Sequence, residues 1–487
     1  MNSNEYEGLD AVGMAELVRK KEVKPSELTE EAIRQIERFN PVVNAVVFTD
    51  YDRARRIASE QDSQTAKGPF FGVPFLLKDI LGDLEGWPST IGSRMLTKRV
   101  MPKTCYYVER LEKAGLNFLG KSNAPEYGLL PTTENVLYGP ARNPWNLEYS
   151  TGGSSGGAAA AVAAGMFPAA HGNDGGGSIR IPASSCGVIG FKPSRARNSL
   201  GPDFGHIIAG FVDEHVLTRT VRDSAAFLDA THGHIPGDPY MSWPVERPFL
   251  EEVGRDPGKL RIAYSKTRLT GEPVHPDCIA ALEETIKVLE SLGHTVEEAA
   301  PMIPAKEFLE SFTAIWWSGI AFAVDLLGVE RGQPFQEGEL EALTQSIHAA
   351  GTAVTAPQFQ FAELIAQSMG RELARFHMTY DCWLTSTMPE PTIRNGLVNV
   401  NESDLQKAYA PIPDYNTFCC IQNATGQPSV SLPLHWNEAG MPVGLMFSAR
   451  NGEESVLFRL AAQLEQAKPW NNRRAQAHIE AAAVSRG

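Results

Sequence analysis

Residues 150–196 read STGGSSGGAAAAVAAGMFPAAHGNDGGGSIRIPASSCGVIGFKPSRA. So much Gly, Ala and Ser is the composition of a flexible linker. The order is not that of a linker, because the glycines and serines gather at 152–157 (GGSSGG) and 175–178 (GGGS), with a helix-forming alanine block between them. In the second cluster three glycines clear every side chain from the approach to Ser178, so that backbone N–H groups can converge on one point, as an oxyanion hole requires. Ile179, Ile181 and Pro182 give that turn stiff flanks. Taken alone, the cluster is also compatible with a tight glycine turn carrying an incidental serine. The first cluster contains a formal G-x-S-x-G match at 152–156, which would make Ser154 a nucleophile on a strand–turn–helix elbow. Residues 143–149 (NPWNLEY) before it do not read as a buried strand, so the elbow context fails.

Outward from this stretch, helix and strand signals alternate. The run 72–80 (GVPFLLKDI) is apolar and rich in strand formers, and 117–120 is another such run, following a helical pattern at 107–114. Helices are expected over 9–47, the second opening near Pro25 and stopping at Asn40-Pro41. Beyond about residue 230 helical patterns dominate, including 276–292 and 307–327, before strand-like runs return at 428–433 and 442–447 and an amphipathic helix at 453–465. This grammar predicts one large α/β domain with an inserted helical region and no linker inside it. The Ala-rich, polar end from Ala475 onward need not pack on anything.

Lys78 gives the chemistry direction. It closes a run fit for burial, and a buried lysine has a lowered pKa and can act as a neutral base. The neighbouring Asp79 would point to the opposite face of a strand and would not neutralise it. Histidine is the usual base for a serine nucleophile and eleven are present, but His171, seven residues before Ser178, has no evident Asp or Glu to orient it and ranks second to Lys78.

The chain of 487 residues carries a formal charge of −14, spread along its length, which fits neither nucleic acid nor an anionic membrane and better suits a neutral or cationic small substrate. Its six cysteines show no CxxC or Cys/His spacing, so neither a zinc site nor a disulfide framework is indicated and no cofactor is expected. The N-terminus is polar and acidic, unlike a signal peptide, and the apolar run 158–166 is too short to span a bilayer; a cytoplasmic enzyme, monomer or homodimer, is the expectation.

The residues quoted so far, with 121–123 (KSN), Glu126, 143–146 (NPWN), 187–193, 423–428 (NATGQP) and 440–444 (GMPVG), resemble the amidase signature family. The segment 171–183 looks most like the branch that contains 6-aminohexanoate-cyclic-dimer hydrolase. The resemblance covers about residues 7–470 as a single domain, with a signature core at about 70–200, a variable helical region on the substrate side at about 230–410, and a tail at 475–487. It implies an α/β amidase signature fold, a large mixed sheet flanked by helices on both faces. It also implies a Ser–cis-Ser–Lys triad with Ser178 as nucleophile, Ser154 as the relay after a cis bond, and Lys78 as base. The backbone N–H groups of Gly175, Gly176, Gly177 and Ser178 would form the oxyanion hole, supported by Ser155 and Asp174. Many relatives carry Thr where Gly175 stands. Trp316 lies in the variable region, where it would narrow a pocket. The function implied is hydrolysis of a carboxylic amide through an acyl-enzyme, with aryl or alkyl acylamides, amide oligomers and carbamates as substrate classes. The alternative is a partner-bound glutaminase subunit of the glutamyl-tRNA amidotransferase A type; the Gln usual in that group after Ser-Ile-Arg is replaced by Ile181.

Overall fold

The strand-forming run near Lys78 lies inside an eleven-stranded mixed sheet, in a computed structural model that describes residues 3–413, 415–475 and 479. Its strands, in chain order, are β1 (Val46–Thr49), β2 (Pro74–Lys78), β3 (Asn117–Ser122), β4 (Ala169–Asp174), β5 (Ile189–Lys192), β6 (Asp213–Thr218), β7 (Arg261–Tyr264), β8 (Thr295–Glu298), β9 (Cys382–Ser386), β10 (Ser429–Trp436) and β11 (Pro442–Ala449). Their order across the sheet is β1-β3-β2-β4-β6-β5-β10-β11-β9-β7-β8. The interior strands β2, β3 and β4 are buried along their whole length, polar residues at their ends included, as strands covered on both faces are. β2 is parallel to β3 and β4, whereas β6 runs antiparallel to β4.

This architecture is the α/β fold with a large mixed sheet that the sequence implies. The helices that matter below are α1 (Pro25–Val43), α2 (Gly156–Ala163), α3 (Arg180–Cys186), α4 (Ala305–Glu330), α5 (Ala342–Thr352), α6 (Ala356–Phe376), α7 (Cys419–Thr425) and α8 (Glu454–Ala467). Side chains between Tyr6 and Phe227, joined by Ile479, form one apolar cluster. The other cluster draws chiefly on the second half of the chain, and Ile181, Ile189 and Phe191 enter it from the glycine-rich region.

Several expectations need correction. α1 does not stop at Asn40-Pro41; it continues through Pro41 and ends where Asn44 turns left-handed (φ 51°), its N–H donating to Asn40 O at 2.8 Å. A proline in the last turn costs one intrahelical bond without ending the helix, and the left-handed residue supplies the stop. The region 230–410 is not only helical, because β7, β8 and β9 all come from it and complete one edge of the sheet. These strands span four or five residues, and three of the four residues of β8 (TVEE) are polar, so they leave at most two or three consecutive apolar residues in the sequence. The longest apolar element is not 158–166 but α4. By length and composition α4 could cross a bilayer, yet it lies against α5, α6 and the turn Ile208–Gly210. The chain from Ala475 does pack at its start, for Ala475 and Ile479 are buried; 476–478 and 480–487 lie outside the described residues.

Phe191 on β5 shows how the two halves are joined. It is fully buried, pairs in register with Val430 on β10, and stacks on Phe458 of α8 at a centroid distance of 4.4 Å. Truncating a buried aromatic removes transfer free energy and leaves a cavity. Phe191→Ala should therefore destabilise the fold by about 3–5 kcal/mol, read as a lowered denaturant midpoint. A midpoint unchanged from the parent would contradict this packing.

Candidate active site

Lys78 is the last residue of β2 and is fully buried. Its backbone N–H donates to His171 Nδ1 (3.2 Å), and its amine contacts three oxygens: Ser154 Oγ at 2.8 Å, Ser155 Oγ at 2.9 Å and Asn173 Oδ1 at 2.6 Å. The adjacent Asp79 faces away, toward Thr90 and Lys121, as strand alternation requires.

The hydrogen-bond inventory assigns roles to the three oxygens. Asn173 Nδ2 donates to Ile80 O at 2.8 Å, so the oxygen of that amide is turned to the lysine and can only accept. The Ser155 hydroxyl donates its single proton to Asn173 O at 3.3 Å and so accepts from the amine. A neutral amine has two N–H groups, which these two acceptors satisfy. Its lone pair is left for Ser154, the one partner with a proton free to give.

Burial pushes the Lys78 ammonium down to about 7, against the opposing charges of Glu214 and Asp174. The start of α2 at Gly156, directly after Ser155, adds the positive end of a helix, which also disfavours a cation.

Ser154 follows a cis peptide bond from Gly153. The loop that carries it has no room for side chains. A Cβ on Gly153 would lie 2.4 Å from Thr132 O, and Gly152, at φ +70°, abuts Pro182. The preceding segment is a short strand, Asn146–Ser150, paired with Arg142–Asn143 in a two-stranded ribbon outside the main sheet and bridged at Tyr149 to Arg394. That is not the buried strand of a nucleophile elbow.

Ser178 precedes α3 and is 7% exposed at the floor of a cavity. Its carbonyl accepts from Ser155 N–H at 3.1 Å, tying the two serine clusters together. Ser154 and Ser178 line the same cavity, although no hydrogen bond joins their hydroxyls among the described residues.

Asp174 clamps the glycine turn. Its carboxylate accepts from Gly177 N–H (2.7 Å), Ile179 N–H (3.1 Å), Arg180 Nε and Nη2 (both 2.9 Å) and Asn423 Nδ2 (2.9 Å). Burial alone would raise its pKa, but the Arg180 charge and these donors hold the carboxyl well below the ordinary range. The clamp corrects one expectation. Gly177 N–H is engaged by Asp174 and is not free to meet an oxyanion, which leaves Gly175, Gly176 and Ser178 as the candidate donors.

Three contributors had no clear signal in the sequence. Asn173 sits in the quoted HGNDGGGS stretch, where nothing distinguishes a lysine partner from a turn residue. Asn423, from α7, reaches Asp174 across 249 positions, which only folding reveals. Glu214 supplies the acid that the sequence around His171 does not: its Oε2 lies 2.5 Å from His171 Nε2. Val216 on β6 is the register partner of His171, so Glu214 is its diagonal neighbour on the same face. With Nδ1 accepting from Lys78 N–H and Nε2 facing Glu214, both ring nitrogens of His171 are engaged and neither is free for Ser178.

The cavity above Ser178 has a volume of about 1150 Å³. Trp316, from α4, faces it and packs on Gly175, where a Cβ would lie 3.0 Å from the indole Cζ3.

The amidase family model matches residues 27–458. A 6-aminohexanoate-cyclic-dimer hydrolase from Pseudomonas sp. (strain NK87) is 37% identical over 481 residues, covering 96% of each chain. A solved structure of 6-aminohexanoate cyclic dimer hydrolase complexed with substrate superposes with a TM-score of 0.92 at 36% identity, over 96% of this chain and 99% of that one. A bacterial aryl acylamidase of the amidase signature enzymes gives 0.88 at 28% identity, over 97% and 98%.

The amine environment makes a signed prediction. Asn173→Asp would put a carboxylate in place of the amide oxygen 2.6 Å from Lys78 Nζ, adding to the charges of Glu214 and Asp174 that already favour the ammonium. An opposite charge this close raises a lysine pKa by about 1 unit or more. The acid limb of the pH–rate profile for amide hydrolysis should move up accordingly. A limb that stays put would show that the amine does not control the rate.

Proposed function

Given that the chain belongs to the amidase signature family and is an amide-bond hydrolase, we propose that it works through an acyl-enzyme on Ser178. Ser154 is the proton relay and neutral Lys78 the base. The observation that carries this reading is the three-oxygen environment of Lys78, in which Ser154 alone has a proton to give.

The steps follow from that asymmetry. Lys78 takes the Ser154 proton as Ser154 takes that of Ser178, and the Ser178 Oγ–carbon bond forms. The carbonyl oxygen gains charge and meets the N–H groups of Gly175, Gly176 and Ser178, already oriented by the Asp174 clamp. The proton returns through Ser154 to the amide nitrogen as the C–N bond breaks. Water then repeats the sequence on the ester and frees the acid. The open Ser154–Ser178 contact closes when substrate fills the cavity, since catalytic hydrogen bonds commonly tighten in the substrate complex.

The substrates proposed are aryl or alkyl acylamides and amide oligomers. A large cavity lined mainly by apolar side chains supports them, as do the relatives named for a cyclic amide dimer and for aryl acylamides. Comparing anilides, aliphatic amides, cyclic lactam oligomers, carbamates and glutamine would rank these classes.

Ser178→Ala should lower turnover by about 10³-fold or more. Retention of a few per cent of parental activity would overturn the assignment. Lys78→Ala should cost about 10²–10⁴-fold. In the parent, the rate should rise through about pH 7 as the buried ammonium loses its proton, and a profile flat from about pH 6 to 9 would contradict a lysine base.

A further inference from the structure

Ser178 stands where two cavities meet. Beside the cavity of about 1150 Å³ lies a second of about 540 Å³, and Gly128, Ser178 and Trp316 line both. They differ in which serine they reach. The Ser154 side chain faces the larger one, whereas the smaller touches the loop only through Gly153.

We propose that the smaller cavity is the acyl subsite, taking an uncharged apolar acyl group, that the larger cavity is the amine subsite, and that Trp316 is the wall between them. The proposal rests on the reading of Ser178 as nucleophile and Ser154 as relay. A proton delivered by Ser154 must arrive at the leaving nitrogen, so the C–N bond points into the cavity that Ser154 lines. At a trigonal carbonyl carbon the acyl substituent then points away from that nitrogen, into the other cavity.

The linings agree with this assignment. Among the described residues no Asp, Glu, Lys or Arg lines the smaller cavity, and its lining of Leu, Ile, Phe, Trp and Pro side chains suits an apolar acyl group. The larger cavity includes Asp83, Arg99, Lys103, Glu330 and Glu363, which can meet a polar or charged amine tail.

The wall is held by stacking. Trp316 lies on Phe312 at 5.8 Å and 12°, and Phe312 on Phe211 at 5.6 Å and 15°. Against the other edge of the indole, Gly175 leaves the space that a Cβ would take. One helix serves both compartments. Leu309 and Thr313 of α4, before Trp316, face the smaller, whereas Ala323 and Leu327, after it, face the larger.

Two filling substitutions on that helix separate the compartments. Each variant, first shown to be labelled at Ser178 by a fluorophosphonate, is assayed on p-nitroanilides from acetyl to decanoyl and on acetamides of amines from ethyl to octyl. Thr313→Phe should lower kcat/KM about 10-fold or more for long acyl groups and leave the acetamide series within about 3-fold. Ala323→Phe should do the reverse, and Trp316→Ala should flatten both length dependences. The opposite pattern, or equal loss in both series, would overturn the assignment. If either filling variant fails to fold, Leu309→Phe and Ser318→Phe probe the same two sides. Failure of the parent enzyme to label at Ser178 would instead sink the underlying mechanism, so the two failures are told apart.

Discussion

The site depends on a lysine amine taken fully out of water at the end of a central strand and given only neutral oxygens to touch. A charged ammonium there loses its hydration, and among the described residues no carboxylate contacts it directly in compensation. The amine is therefore poised near neutrality, where it can carry a proton or release it. Burial needs the strands on either side of β2, and the neutral oxygens need the loop before α2 and the end of β4 to converge on one atom.

A second network fixes the electrophilic side. Asp174 binds the glycine turn through two backbone amides and is itself held by Arg180 and Asn423. Arg180 also reaches Gln422 and Ser429, so the turn before Ser178 is anchored to α7 and β10. Buried charges are tolerated in this network because nearly every donor has an acceptor. The turn is rigid for the same reason, and that rigidity is what an oxyanion hole requires. His171 and Glu214 do a comparable service beneath the lysine, holding its backbone from the neighbouring strands β4 and β6.

The cavity wall beside Ser178 comes from a different part of the chain. α4 arrives from the variable region and lays Trp316 over Gly175, where a larger residue would push the indole aside. Gly175 and Trp316 thus shape the space beside Ser178 together. Lys78 is placed by the sheet and Trp316 by a helix that lies beside it.

Much of this was legible in the residues themselves, and the reason is local. Ser178 could be picked out because three glycines before a serine clear its approach, and Lys78 because it closes an apolar run otherwise fit for burial. Helix and strand runs in the first 200 residues announced the α/β layer by periodicity. The short strands β7, β8 and β9 did not, because four or five partly polar residues carry no period, and only pairing partners far along the chain make them strands. The tertiary structure alone decided that Gly177 serves Asp174, that Glu214 meets His171, that Asn173 turns its oxygen to Lys78, and that Trp316 stands against Gly175. Each is a contact between residues whose separation or orientation no local pattern encodes. The sequence by itself determined which groups can react, since that is a property of residue type and neighbourhood. The fold decided which of these groups meet and what space lies beside them, since those depend on hydrogen-bond direction and on the packing of distant segments.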